Sequence, residues 1–193
     1  MRVITGLYKG RILKTVKDLS VRPATDRVKQ TVFNMLANRI ELRGAIVLDL
    51  FAGSGSLGIE ALSRGAAHVT FVESDEQAVR YIEENVRALG CEALTEIDET
   101  DAMYYLLHVR PSFDLIFADP PYAFERTNEI PGIVFTQKLL KPHGYLLIEH
   151  APTVHFASTH EYYAGPEKKF GRTLVTFFRK PSASNTESSV EPS

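Results

Sequence analysis

IVLDLFAGSGSLGIEALSRG, residues 46–65, is the stretch that decides the fold. Its first six residues are apolar except for Asp49 and run into glycines, the pattern of a short buried strand. Beyond Gly55, Leu57, Ala61 and Leu62 fall at helical spacing and Gly65 supplies a stop. Between strand and helix, Gly53, Gly55 and Gly58 spell GxGxxG, a loop whose backbone can turn tightly and come close to a ligand.

The same unit repeats downstream. HVTFVES (68–74) reads as a strand and DEQAVRYIEENVRALG (75–90) as a helix, with Ser74 or Asp75 able to cap its start. ALTEI (93–97) is a weaker strand, AMYYLLHV (102–109) a helix, and FDLIFADPPY (113–122) a strand ended by two prolines. EIPGIVFTQKLL (129–140) contains a helix, and GYLLIEH (144–150) is a strand after a Pro-His-Gly turn. Strands alternating with helices predict parallel βαβ units over residues 44–180. Residues 160–180 break the rhythm and predict an antiparallel hairpin, its strands joined by a Gly-Pro and Lys-rich loop. PSASNTESSVEPS (181–193) has no large apolar residue except Val190 and predicts a disordered tail.

Residues 1–43 form an N-terminal extension of different character. RVITGLYKGRILKTV predicts a hairpin turning between Gly6 and Gly10, and Arg22-Pro23 breaks the chain. TDRVKQTVFNMLANRI (25–40) predicts an amphipathic helix with Val28, Val32, Phe33, Met35, Leu36 and Ile40 on its core face. This fifth of the chain carries ten Lys/Arg against three acids, whereas the whole protein is at −2. A local basic footprint on an acidic protein suits an anionic partner, nucleic acid first. Lys9, Arg11, Arg22, Arg27 and Lys29 are the candidate phosphate contacts.

Composition sets outer limits. At 193 residues, 44% hydrophobic and 24% charged, the chain is one ordinary globular domain in size and make-up. No apolar run approaches the roughly 20 residues of a membrane span, and the N-terminus has no apolar stretch of signal-peptide length. Cys91 is the only cysteine, which leaves no intramolecular disulfide and fits the cytoplasm. The six histidines do not cluster at metal-ligand spacing, so no metal site is expected.

Candidate chemistry gathers at predicted strand ends. Glu73 lies twenty residues after Gly53, where a carboxylate can accept both hydroxyls of a ribose. Asp49 sits beside the glycine loop, where it would repel a pyrophosphate but attract a cation. S-adenosylmethionine carries both an ammonium and a sulfonium, so Asp49 turns the reading from a dinucleotide to that cofactor. Asp101 and Ala102 follow the third strand and can meet an adenine amine and ring nitrogen; Asp101 can equally cap the next helix. Asp119-Pro120-Pro121-Tyr122 ends a strand at the same edge. An exocyclic amine is a weak nucleophile because its lone pair is delocalised into the ring. The Asp119 carboxylate and the Pro120 carbonyl can draw on its hydrogens, and Tyr122 can stack on the base.

DLFAGSGSLG together with DPPY resembles the class I S-adenosylmethionine-dependent methyltransferases that act on amines. With RVITG, KGR, RPATDRVKQTVFNML and the late FGRTLVTFF, the chain is similar to the bacterial 16S ribosomal RNA guanine-N2 methyltransferase family, which modifies guanine 966. Thr5, Ala24 and Gln30 depart from that family's usual glycine, threonine and glutamate. The resemblance implies a Rossmann-like α/β fold. Its seven-stranded sheet would have order 3-2-1-4-5-7-6 with strand 7 antiparallel, helices on both faces and a small N-terminal hairpin and helix. It implies cofactor contacts at Thr25, Asp49, Gly53, Gly55, Glu73, Ser74, Asp101 and Ala102. It places Thr25, Asp26 and Arg27 near the methionine end and the target base. The partner would be 16S rRNA or a small-subunit assembly intermediate, with the enzyme a monomer. A DNA adenine-N6 methyltransferase shares the glycine loop and DPPY, but the chain has no insertion long enough for a DNA target-recognition domain. A non-catalytic RNA-binding assembly module and, from GxGxxG alone, an NAD-dependent oxidoreductase are the other readings.

Overall fold

A computed structural model describes residues 1–15 and 24–181, with main chain only at 24 and 25. The expectations for Arg22, the Thr25 side chain and the tail after 181 therefore lie outside the described residues. In chain order the elements are α1 (Ala24–Ala37), β1 (Ile46–Leu50), α2 (Ser56–Ser63), β2 (His68–Glu73), α3 (Glu76–Leu89), β3 (Thr95–Glu99), α4 (Ala102–His108), β4 (Phe113–Ala118), α5 (Ile130–Thr136), β5 (Leu140–His150), β6 (Tyr163–Phe170) and β7 (Thr173–Arg179). The strands make one sheet in the order β3-β2-β1-β4-β5-β7-β6. The first five are parallel, and β7 runs antiparallel between β5 and β6.

Alternation along each strand divides the core in two. Val47, Val69, Phe71, Leu115, Phe117, Leu147 and Phe177 point to one face, beneath Phe33 and Leu36 of α1, Ile59 of α2 and Ile82 of α3. Leu48, Val72, Ile116, Leu146 and Phe178 point to the other, beneath Leu106 of α4 and Val134 of α5. Val3 and Leu13 of the N-terminal hairpin join the first of these cores, as do Val32, Phe33 and Leu36 of α1, so the described residues of the N-terminal extension are built onto the sheet.

That hairpin is held by backbone bonds such as Val3 N–H to Arg11 O at 3.0 Å and Leu13 N–H to Met1 O at 3.0 Å. Buried Glu60 of α2 docks it. Its carboxylate accepts from the Ile4 and Thr5 amides (2.7 and 3.1 Å) and from Arg64 Nε (2.8 Å), with Lys29 Nζ at 3.8 Å. Gly6 touches α2 so closely that a Cβ there would lie 1.7 Å from the Ser63 carbonyl oxygen, and its φ is +86°. Gly6→Ala should cost about 3 kcal/mol, from clash and left-handed strain together. Gly10→Ala is the control: φ is +82° but nothing lies within 4 Å, so only about 1 kcal/mol of strain is expected. Thermal denaturation of the two variants checks this, and equal losses would refute the packing argument.

Three boundaries differ from the sequence reading. β3 covers 95–99 rather than 93–97, because Glu92–Leu94 form a short 3-10 turn first. β5 begins at Leu140; the Pro-His-Gly segment read as a turn is an irregularity within the pairing to β4, between the Phe113–Leu140 and Leu115–Tyr145 pairs. The Gly-Pro and Lys-rich segment is also not a loop. It lies inside edge strand β6, where the register shifts between Ala164 and Glu167, and the turn comes at Gly171 (φ +60°). An edge strand tolerates a proline at such a bulge because no ladder donor is needed there.

Candidate active site

Four neighbouring strands carry a carboxylate at or just beyond their C-terminal ends. These are Glu73 on β2, Asp49 on β1, Asp119 after β4 and Glu149 on β5. Each continues the alternation of the face that holds Phe71, Val47, Phe117 and Leu147, so all four belong to one side of the sheet. Adjacent strands lie about 4.8 Å apart. The row therefore spans roughly 14 Å along the edge where open α/β sheets bind ligands.

Glu73 shapes the glycine loop. Its Oε2 accepts from the Gly53 amide at 2.8 Å, and its Oε1 accepts from the Ser74 and Asp75 amides at 2.8 and 2.9 Å. The carboxylate is thus oriented before any ligand arrives. Gly53 has φ +56° with open space where a Cβ would stand, which leaves room for close approach. Gly55 (φ +76°) precedes α2, and Gly58 lies 2.4 Å, at a notional Cβ, from Phe71. The loop also holds a non-glycine residue in left-handed backbone, Phe51 at φ +55°. Its ring meets Phe124 edge-on at 5.0 Å, tying the glycine loop to the segment after DPPY.

Asp49 is buried, and its Oδ2 accepts from the Gly58 amide at 2.9 Å in the first turn of α2. Burial pushes its carboxyl up to about 8, against the help of that hydrogen bond, and the charges of Asp119 and Glu73 push the same way. Asp49 therefore feels the charge of the acids on both neighbouring strands. Asp119 is exposed at the sheet edge, yet enough protein surrounds its carboxyl that desolvation holds it above the usual range. Glu149, half-buried, is also raised, by desolvation and then by the charge of Asp119.

The other residues expected at the site fall into place unevenly. Asp101 caps α4 by accepting from the Tyr104 amide at 2.8 Å, which leaves its second oxygen free; Ala102 is buried behind it. Tyr122 is 69% exposed, and its hydroxyl is hydrogen-bonded to Thr173 of β7, so the ring is an anchored, open platform. Pro120 is buried and Ser74 exposed. Lys9 and Arg27 are exposed. Arg11 is exposed too, with Nη2 donating to the Ala88 carbonyl near the end of α3 at 2.7 Å.

Lys29 requires a correction. It is 4% exposed, and its Nζ donates to the Arg2 carbonyl (2.8 Å) and to Ser56 Oγ (2.9 Å). It cannot meet a phosphate; it ties the hairpin, α1 and the start of α2 together. The sequence signal was its spacing, since Lys29 precedes Val32, Phe33 and Leu36 by three, four and seven positions and so lies on the buried stripe. Glu149 was missed in the other direction. Its signal was an acid at the C-terminal end of a predicted strand, the same signal that picked out Asp49 and Glu73.

A seven-stranded sheet in this order, with β7 inserted antiparallel and a glycine loop after β1, is the Rossmann-like class I methyltransferase fold. The chain belongs to the family described as conserved hypothetical protein 95, whose model matches residues 1–179. The Bacillus subtilis protein YlbH is 35% identical over 93% of this chain and 99% of its own. Ribosomal RNA small subunit methyltransferase D of Haemophilus influenzae is 37% identical, covering 77% of this chain and 78% of its own. The solved structure of yhhF from Escherichia coli superposes with a TM-score of 0.81 at 29% identity, covering 93% of this chain and 97% of that one.

Proposed function

We propose that this protein transfers a methyl group from S-adenosylmethionine to the exocyclic N2 amine of a guanine in small-subunit ribosomal RNA, position 966 of the 16S molecule. The observation that carries the reading is the row of carboxylates running from the glycine loop to the DPPY corner. It suits a cationic ligand lying next to an amine. The name of the Haemophilus influenzae relative supports the RNA substrate, and the resemblance in DPPY and RPATDR supports guanine N2.

The residues fit the cofactor. Glu73 would hold the ribose, Gly53 and Gly55 would let the chain approach it, and Asp101 and Ala102 would meet the adenine. Asp49 would face the ammonium and sulfonium end. When bound, S-adenosylmethionine supplies a methyl activated on sulfur and leaves as S-adenosylhomocysteine. Asp119 and the Pro120 carbonyl accept from the amine hydrogens and localise the nitrogen lone pair, and Tyr122 stacks on the base. Good alignment of nitrogen with the methyl is worth about 7–11 kcal/mol, so no strong base is needed. The proton shed by nitrogen passes to Asp119 or to water. Lys9, Arg11 and Arg27 offer positive charge to the RNA backbone, and the target base is swung out of its stack to reach the corner.

Methylated-base mapping of small-subunit rRNA from a strain lacking this protein tests the reading. Loss of a single N2-methylguanine is expected, and an unchanged pattern would overturn it. Cofactor binding should depend on pH with a definite sign. The folded Asp49 keeps a proton up to about 8, whereas the unfolded chain loses it near the ordinary aspartate value. The ligand-free protein is therefore destabilised by this group as pH rises through that window. A cationic ligand favours the ionised carboxylate. Affinity should then tighten by up to about tenfold per unit between about pH 6 and pH 8, with proton release. Calorimetry in buffers of different ionisation enthalpy measures both, and a pH-independent affinity would refute the role of Asp49.

A further inference from the structure

Glu149 has no place in the chemistry above, yet it stands beside it. Ala118 pairs with Ile148 in the parallel β4–β5 ladder, so the next residues along, Asp119 and Glu149, leave the sheet side by side. On its other side Glu149 pairs with Val175 of β7, whose side chain is buried in the core beneath it. The two carboxylates are close enough for the charge of Asp119 to disfavour ionisation of Glu149. Neither carboxylate receives a hydrogen bond or an ion pair from any described residue. Other acids of the chain are satisfied locally: Glu60 by two amides and an arginine, Glu73 by three amides, Asp114 by the Ile46 amide and Lys141.

Two adjacent, unsatisfied, half-desolvated acceptors call for a ligand rich in donors. A guanine edge offers that set, the N2 amine beside the N1–H. Adenine offers an amine beside the N1 lone pair, which a carboxylate would repel. We infer that Glu149 accepts the ring N1–H of the target base while Asp119 and the Pro120 carbonyl take the neighbouring amine, so that Glu149 sets the choice of guanine over bases lacking that hydrogen. The inference rests on the proposed guanine-N2 transfer and assigns a specificity-determining residue to it. The N1–H favours the ionised form of Glu149 that Asp119 otherwise disfavours, and in that form the group only accepts, so a base lacking the hydrogen leaves a half-buried carboxylate without a partner.

The test uses the full chain and an RNA fragment that the wild-type protein methylates, synthesised with guanine or 2-aminopurine at the target. 2-Aminopurine keeps the amine but has a lone pair at N1. Wild type should prefer guanine by about 100-fold or more in kcat/KM. Glu149→Gln should lower transfer to guanine and raise it on 2-aminopurine, narrowing the preference by about tenfold or more, because its amide can donate to the lone pair that the carboxylate could only repel. Its S-adenosylmethionine affinity, measured by calorimetry, should stay within a few-fold of wild type, which also shows that the variant folds. An unchanged guanine to 2-aminopurine ratio in the variant overturns the inference. So does a loss on both bases that is matched by lost cofactor affinity, since Glu149 would then serve the cofactor or the fold. Finding that the natural base methylated by wild type in ribosomal RNA is not guanine overturns the functional reading itself, and the inference with it.

Discussion

Replacing Asp119 by alanine cuts methyl transfer to ribosomal RNA by about 1,000-fold or more, while S-adenosylmethionine still binds within a few-fold of wild type. The expectation follows from where Asp119 stands. It follows the last residue of β4, beside Asp49 on one flank and Glu149 on the other, and its carboxylate has no protein donor among the described residues. Its acceptor capacity is left for a ligand, and the amine needs that acceptor to free its lone pair. The loop that holds the cofactor is oriented by Glu73, through the Gly53, Ser74 and Asp75 amides, so it does not depend on Asp119. Incorporation of labelled methyl at saturating cofactor, set beside calorimetric affinity, separates the two functions. Near-normal transfer by the variant would remove Asp119 from the reaction.

Glu60→Ala should lower stability by about 3–5 kcal/mol, the range for breaking a buried charge network from one side. Glu60 is fully buried and serves four donors from three segments. Without it, the Ile4 and Thr5 amides lose their acceptor, and Lys29, itself buried, loses its nearby carboxylate. Arg64 loses its partner as well, although its guanidinium still lies over the Phe33 ring at 4.6 Å. Burial already lowers the Lys29 pKa against the pull of Glu60, so removing the acid leaves a charge with little support. Urea denaturation gives the loss directly, and the melting temperature should fall by about 10 °C or more. A loss under about 1 kcal/mol would mean that the hairpin is docked by its apolar contacts alone.

Thr5 shows how a local departure can be absorbed. The resemblance leads to an expected glycine at this position, but Thr5 has ordinary negative-φ backbone, donates its amide to Glu60 and accepts from the Ser63 hydroxyl through its carbonyl. The glycine with no room for a side chain is its neighbour Gly6, pressed against the end of α2.

The parallel sheet, its helices and the loop after β1 were legible in the sequence because each is a local pattern: an apolar run, a helical stripe, a glycine where φ is positive. The acids at predicted strand ends were legible for the same reason, since the end of a strand in a parallel sheet is a place in space as well as in the chain. What tertiary structure decided was which charged side chains keep their charge for a ligand. Lys29 and Arg27 stand two residues apart on one helix, and only packing against Glu60 and Ser56 takes the first inside and leaves the second out. Glu149 gains its meaning only from a neighbour thirty residues earlier, across a ladder whose register no single strand contains. Burial and electrostatic coupling are properties of pairs brought together by folding, and for that reason the edge could be read from one strand at a time while the site could not.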